Sequence, residues 1–531
     1  MAKKRIAVIG AGVCGLGAIK CCLDEDLEPT CFEKNNDIGG LWKFQKNTAE
    51  KLPSIYRSLT INTSKEMMCY SDYPIPDHFP NYMHNSKVME YLRMYLASKV
   101  LSTTYLFFYS QAKVQSIKKR PDFSSSGQWN VVVEADEKQE SLVFDGILVC
   151  SGHHTDPNLP LQSFPDVSLR KRSDYFHSRE YKSPEEFLGK TIIVIGIGNS
   201  GADIVFLSTR RGSWILHRVW DNGYPMDTSL FTWFNSLLRK TASVRIINNH
   251  LENTLNSRFN HAHYGLQPQH RLLSQHPTVS DDLPNHIISG KVVVKPNIKE
   301  FTEMAAIFED GAIEEDIDAV IFATGYNITF PFLEDLIKVT NNEVSLYKLM
   351  FPSDLEQPTL AFIGLIQPLV FKGMWMNLGE SPLPSVKNMM ADITQRKMDM
   401  AKRYVKSPRH TIQVHHIEYM DEIATQIGVK PNLLWLFLWD SKLTWKVFSG
   451  PCTPYQYHLH GPRKWDGARR AILTQTERML KPMRTHTVNN ERNPSSEISW
   501  VKMALRGFVV WPVSYFTMVI STILKGNKLV H

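Results

Sequence analysis

Short apolar, β-branched runs recur along this chain, and several are closed by small residues. The first, Arg5-Ile6-Ala7-Val8-Ile9, leads into Gly10-Ala11-Gly12-Val13-Cys14-Gly15. A helix-compatible stretch follows from Leu16 to about Asp24. A second extended run, Pro29-Thr30-Cys31-Phe32, then stops at Glu33. Residues 60–85 lose periodicity and gather turn formers and aromatics, which reads as a long ordered loop, and such loops are usually functional. Helical spacing returns from about Ser86 to Val100. Trp129 to Glu134 alternates as a half-buried strand does. Leu142 to Cys150 is another strand and ends in Ser151-Gly152. Thr191-Ile192-Ile193-Val194-Ile195 then leads into a second glycine turn, Gly196-Ile197-Gly198-Asn199-Ser200-Gly201, followed by the extended run Val205 to Thr209. Residues 212–290 read as a mostly helical insertion. Strands are predicted at Val292 to Lys295, in a hairpin at Ala305 to Gly311, at Asp318 to Tyr326 and at Thr359 to Gly364. Helical stretches with Pro-rich turns continue to about residue 480.

Strand, glycine turn, helix, strand and acid in that order form a dinucleotide-binding βαβ unit. Gly10 allows the tight turn. Gly12 lets backbone approach a pyrophosphate, and Gly15 lets the helix pack closely on the strand. The N–H groups at the helix start, around Ala11, Val13 and Cys14, hold phosphate charge. Glu33 accepts from both ribose hydroxyls. The second turn repeats the motif at Gly196, Gly198 and Gly201, but the strand after it ends in Arg210-Arg211. Arginine there suits a 2′-phosphate, so the second site reads as NADP rather than NAD. The expected fold is α/β, with two interlocked Rossmann-like nucleotide-binding domains.

Composition changes this picture little. The 531 residues carry 43% hydrophobic and 21% charged positions and a net charge of +7, which is ordinary globular balance. Neither zinc-finger spacing nor a basic-aromatic stripe is present, so no nucleic acid and no metal are expected as partners. The seven cysteines include no C-x-x-C pair, which fits reduced thiols and excludes dithiol-disulfide reductases built on the same fold. The C-terminus does change the picture. Gly507 to Leu524 is an uncharged stretch, preceded by Lys502 and Arg506 and followed by Lys525 and Lys528. Its length just spans a hydrocarbon core of ~30 Å. A membrane anchor over 500–525 is expected, after a polar linker at 481–499.

Taken together, the chain resembles the flavin-containing monooxygenases of the membrane-bound mammalian type, over nearly its whole length. The residues that carry the resemblance are GAGVCG at 10–15, Glu33, Gly39-Gly40-Leu41-Trp42, Asn62 to Met68, Tyr175-Phe176-His177-Ser178-Arg179, GIGNSG at 196–201 and ATGY at 323–326. The resemblance implies FAD on the first turn, with Gly40, Leu41, Trp42, Asn62, Thr63 and Gln367 beside it. It implies NADPH on Gly196, Gly198, Asn199, Ser200, Gly201, Asp203 and Arg210. It implies that NADPH reduces the flavin, that O₂ adds to give a C4a-hydroperoxide, and that a soft nucleophilic small molecule, an amine or sulfide, takes one oxygen atom. Asn62 is the expected catalytic residue, because a neutral amide bonds the flavin without acting as a base. His177 and Tyr181 match the end of a fingerprint that links the two domains. The implied location is the endoplasmic reticulum membrane, with the catalytic part in the cytosol. The implied division is 1–160 and 331–480 for FAD and 161–330 for NADPH.

Three departures stand against that pattern. The linker fingerprint lacks its phenylalanine and glycine, with Lys171 and Ser173 in those places. Between Ile195 and Val205 lie only nine residues, too few for a crossover with a helix. Parallel pairing of Val205 to Thr209 with Thr191 to Ile195 is therefore in question, as is the reach of Arg210. Third, Gln367-Pro368-Leu369 runs directly into Val370 to Gly373, where the family has a longer segment enclosing the flavin edge. Two readings stay open: a working monooxygenase, or an impaired member (an uncoupled NADPH oxidase, or a membrane-tethered non-enzyme).

Overall fold

The computed structural model describes residues 2–47, 52–100, 107–167, 174–198, 206–333, 336–366, 383–405, 407 and 411–486. β1 (Arg5–Ile9) is the middle strand of a five-stranded, all-parallel sheet. The order across it is Leu360–Phe362, Gly146–Val149, β1, β2 (Glu28–Glu33) and Phe107–Ser110. α1 (Val13–Asp24) makes the crossover from β1 to β2. The unbroken apolar run of β1 has a simple cause: both faces of the sheet are covered. Ile6 and Val8 enter one core, while Ala7 and Ile9 enter another.

The second sheet repeats this plan. Its order is Val293–Lys295, Phe206–Ser208, Ile192–Ile195, Ala319–Phe322 and Tyr175–His177, again all parallel. Ile193 and Ile195 face one core and Ile192 and Val194 the other. Each unit also carries a three-stranded antiparallel sheet before its last strand in sequence. In the first it is Lys113–Lys119, Trp129–Ala135 and Lys138–Phe144; in the second, Ile298–Phe301, Ala306–Phe308 and Ile313–Glu314. The units interlock because Leu360–Phe362 returns to the first sheet after the second is complete.

The doubt over parallel pairing is overturned. Ile193, Val194 and Ile195 sit in parallel register with Phe206, Leu207 and Ser208. Reach explains it. The connection 196–205 can extend by ~30 Å, and the return along a three-residue strand needs only ~10 Å. Val293–Lys295 closes the far side, and Leu207 is wholly buried. Residues 199–205 lie outside the described residues, and with them Asn199, Ser200, Gly201 and Asp203.

The insertion 212–290 carries the helices Met226–Leu230, Trp233–Thr241, Val244–Arg258 and Leu283–Ile288. The helix expected at Ser86 to Val100 runs over Asn85–Tyr95 and closes with one π turn, Leu96–Val100. No described helix is long and apolar enough to cross a membrane. The expected anchor, the linker beyond residue 486, Gln367, Lys171 and Ser173 all lie outside the described residues.

The loop at 60–85 is a buried wall with one short helix, Lys65–Met68. Lys65 is fully buried and donates to Asp77 O at 2.7 Å and Phe79 O at 2.8 Å. Glu66, 1% exposed, is gripped by Arg478 through both carboxylate oxygens and accepts from Tyr455 Oη at 3.2 Å. The Glu66–Arg478 pair pins the helix Ala468–Leu480 to the loop, since a buried charge is stable only when paired, while Lys65 ties the loop to itself.

Candidate functional site

The first glycine turn is built by steric necessity. Gly10 has φ 102°, and a Cβ there would stand 2.9 Å from Cys150 O. Gly10 N donates to Phe32 O at 2.8 Å, and Cys150 N to Ile9 O at 2.9 Å, so strand ends on both sides hold the turn. A Cβ on Gly15 would lie 1.9 Å from Gly10 O, which fixes α1 hard against the turn. A second pair of glycines seals the outer side. Gly39 (φ 104°) donates to Ala11 O at 3.0 Å, and a Cβ on Gly40 would meet Gly12 Cα at 3.1 Å. Gly40–Trp42 then forms a 3-10 turn that places Leu41 and Trp42, both half-buried, beside the cradle. No side chain caps α1, so its first N–H groups are left for an anion.

Glu33 sits where the sequence places it, with a partly different role. It is buried; one oxygen accepts from Ala11 N at 2.6 Å and the other from Asn35 N at 2.7 Å. Burial raises its pKa, opposed by those two N–H groups and by Lys43. A carboxylate oxygen accepts twice, so each keeps one lone pair for a ribose hydroxyl. Glu33 thus braces the glycine turn as well as facing the ligand space. The close-packed backbone, the uncapped helix and the acid fit an FAD diphosphate and ribose.

The second turn copies the first. Gly196 has φ 109°, and its Cβ would lie 2.7 Å from Ala323 O. Gly196 N donates to Ser208 O at 3.1 Å and Ala323 N to Ile195 O at 2.9 Å, the counterparts of the bonds at Gly10 and Cys150. Among the described residues nothing lies within 4 Å of a Cβ on Gly198. Arg210 is exposed just past Phe206–Ser208. This half of the cradle fits an adenine dinucleotide with a 2′-phosphate.

Asn62 lies where the two units meet. Arg218 of the insertion donates Nη2 to Asn62 Oδ1 at 2.6 Å and Nη1 to Asp281 Oδ2 at 3.0 Å. Arginine has no acceptor, so the amide oxygen must face it, which directs the two Nδ2 N–H groups elsewhere. Asn62 is half-buried and tied into this contact, which argues against the free sequon its sequence also spells. Thr63 is buried next to it, and Ser64 N donates to Asp227 Oδ2 at 2.6 Å. Burial lifts the Asp227 carboxyl to about 6.

His177 and its neighbours tie the units at a second point. His177 is fully buried, and its Nε2–H donates to Gly325 O at 2.8 Å. Its Nδ1 accepts from Arg179 N at 3.2 Å, and burial lowers its pKa to about 4, so the ring is neutral. Arg179 reaches Leu52 O at 2.7 Å, and the Tyr181 ring lies 5.8 Å from that of Tyr56. Sequence spacing points to the glycines and Glu33, and the family resemblance to Asn62. Both miss Arg218, Asp227 and Asp281, because their partners are more than 150 residues away or lie within an insertion that carries no motif. No group of three or more metal-ligating side chains forms among the described residues.

The family model described as "Flavin-binding monooxygenase-like" matches residues 3–520. The chain is 56% identical to flavin-containing monooxygenase 5 of Oryctolagus cuniculus over 537 aligned positions, covering 97% of this chain and 100% of that one. It is 48% identical to dimethylaniline monooxygenase [N-oxide-forming] 2 of Mus musculus, over 97% of this chain and 98% of that one. The first alignment is longer than the share of this chain it covers, so that relative has residues without a counterpart here. Among solved structures, S-allyl-L-cysteine S-oxygenase from Allium sativum superposes with a TM-score of 0.59 at 21% identity. It covers 90% of this chain and 99% of that one and shares the mixed α/β fold.

Proposed function

Since this chain belongs to the flavin-binding monooxygenase-like family, we propose that its two glycine cradles work on one reaction, the oxygenation of a soft nucleophile. The protein is an NADPH-dependent flavin monooxygenase that uses FAD, O₂ and a small-molecule substrate. Bound together, the two cofactors supply the reducing power that activates O₂ and passes one oxygen atom on. Ala11, Gly12, Val13, Cys14 and the start of α1 hold the FAD diphosphate, Glu33 takes its ribose, and Gly40, Leu41 and Trp42 cover it. Gly196, Gly198 and Arg210 take NADPH. The matched geometry of Gly10 and Gly196 carries this reading, because two cradles of one design in one interlocked fold call for two dinucleotides.

Arg218 fixes the orientation of Asn62, so that Nδ2 donates toward the flavin side. The groups gathered here are a neutral amide and a guanidinium already paired with Asp281. Neither removes a proton, which suits a tertiary amine or sulfide that needs no activation. The N-oxide-forming relative supports the same substrate class. The buried walls around Asn62, at Ile61 and Thr63, keep water away.

A membrane location at the endoplasmic reticulum, with the catalytic part cytosolic, fits a surface feature that the sequence reading passed over. The helix Leu433–Trp439 leaves Leu434, Trp435, Phe437, Leu438 and Trp439 between 57% and 85% exposed. An apolar, tryptophan-bearing helix on a surface suits the lipid interface. An impaired member remains the second reading. The positions missing relative to the first-named relative favour it.

Steady-state turnover of the purified full chain with NADPH and O₂ separates these readings. A tertiary amine, a thioether and a cyclic ketone are supplied in parallel, and oxygenated product and H₂O₂ are measured. Amine or sulfide product matching NADPH consumed supports the main reading. H₂O₂ in place of product supports the impaired one, and lactone alone would move the substrate class to ketones.

A further inference from the structure

A cavity of about 460 Å³ lies between the insertion and the segment around 404–416, away from both glycine turns. Its body is apolar, with Leu230, Phe234, Leu251 and Leu255 in the wall. Neither Asn62 nor any cradle glycine lines it. The volume falls in the range of small-molecule sites.

One part of the wall is cationic and unsatisfied. Arg239 lines the cavity, and its Nε is shut off from solvent without a hydrogen bond. No salt bridge reaches the guanidinium among the described residues. Burial pushes its pKa down; Glu418 opposes this from a distance, and Arg403 adds to it. Gln413 and His415 line the same cavity, and Gln413 Oε1 and His415 Nε2 are buried without a partner. Burial, Arg403 and Arg239 hold the His415 ring neutral, with its pKa near 3. The one carboxylate in the lining, Asp221, is exposed and does not act on Arg239. Arg239 is half-buried, and a guanidinium N–H shut off from water without an acceptor costs stability until an anion meets it.

We propose that this cavity binds a single-chain amphiphile with an anionic head, a fatty-acid-like carboxylate, seated with its head on Arg239 and its chain among Leu230, Phe234, Leu251 and Leu255. The carboxylate accepts from Arg239, with His415 Nε2–H in the same wall. On the membrane contact proposed above, the neighbourhood supplies such ligands. The cavity helix Trp233–Thr241 packs on Ser441–Ser449, with the Phe234 and Phe448 rings 5.8 Å apart. Ser441–Ser449 follows directly on the exposed apolar helix Leu433–Trp439.

The test is displacement of dansyl-labelled undecanoate from the full-length, FAD-loaded protein in non-ionic detergent, by decanoate, decanol and decyltrimethylammonium. Decanoate is expected to displace the probe at a concentration about tenfold or more below that of decanol, and the cation not at all. Arg239→Gln should remove that preference while leaving decanol unchanged, and Arg239→Lys should keep it. Leu251→Trp, which fills the apolar body, should weaken both. Micelle partition is common to all variants and cancels. Equal displacement by decanol and decanoate, or a preference that survives R239Q, overturns the proposal. Should R239Q lose its flavin, the wild-type preference and the weakening of both displacers in L251W decide. The readout needs no turnover, so it stands apart from whether NADPH reduces the flavin.

Discussion

A methyl group on Gly15 would collide with Gly10 O, whereas one on Gly198 meets nothing among the described residues. The two glycines therefore fail differently. Gly15→Ala should lose bound flavin, with the 450 nm to 280 nm absorbance ratio of the purified protein falling to a small fraction of wild type. Gly198→Ala should keep the flavin and raise the KM for NADPH by roughly tenfold, by filling space that a pyrophosphate needs. Equal flavin content in wild type and G15A would contradict this account of α1. Arg218→Met should leave flavin loading intact and release Asn62; product yield per NADPH then falls and H₂O₂ rises, by about tenfold in their ratio. An unchanged ratio would show that Asn62 holds its place without Arg218. The glycines and Glu33 are legible in sequence because their partners are local or follow one βαβ plan. Arg218 is not legible, because it comes from a helical insertion and meets Asn62 only after the two units dock.

Elements show the same division between local pattern and long-range pairing. The strands were readable as short β-branched runs, and the interlock follows from the late strand at Leu360–Phe362. The pairing of Phe206–Ser208 is not legible from spacing, because a parallel return needs only reach and not a crossover helix. In sequence Lys65 and Glu66 are only part of a family motif; in the fold buried Glu66 is a clamp on Ala468–Leu480, and Lys65 holds its own loop. Breaking that clamp leaves a charge buried alone. Arg478→Met should cost roughly 3–5 kcal/mol and Glu66→Gln somewhat less, both measured by denaturant unfolding of the flavin-loaded protein. A loss below about 1 kcal/mol in R478M would mean that solvent reaches Glu66.

At the scale of the whole molecule, buried neutral histidines set the acid limit. Burial holds His177, His261 and His416 at about 4 and His415 at about 3. In the unfolded chain they titrate near 6.5, so the unfolded state binds protons first on acidification. The stability they give is whole above about 6.5 and is lost as pH falls toward 4; for a fully buried ring such as His177 it is on the order of 3 kcal/mol. Asp227, lifted to about 6, and Glu33, raised by burial, work the other way as two groups against four. The melting temperature should therefore fall steadily from pH 7 to pH 4.5, and a flat profile would contradict the buried, uncharged rings. The two-unit plan and the cofactor pair were legible because each unit repeats one motif. The cavity at Arg239 was not, because its walls come from segments without a shared pattern. The central claim is that two cradles of one design serve a single flavin reduction. Anaerobic stopped-flow mixing of the FAD-loaded protein with NADPH tests it most directly. Bleaching near 450 nm that saturates with NADPH, and far more weakly with NADH, is the expected result. A flavin that stays oxidised at saturating NADPH would contradict it.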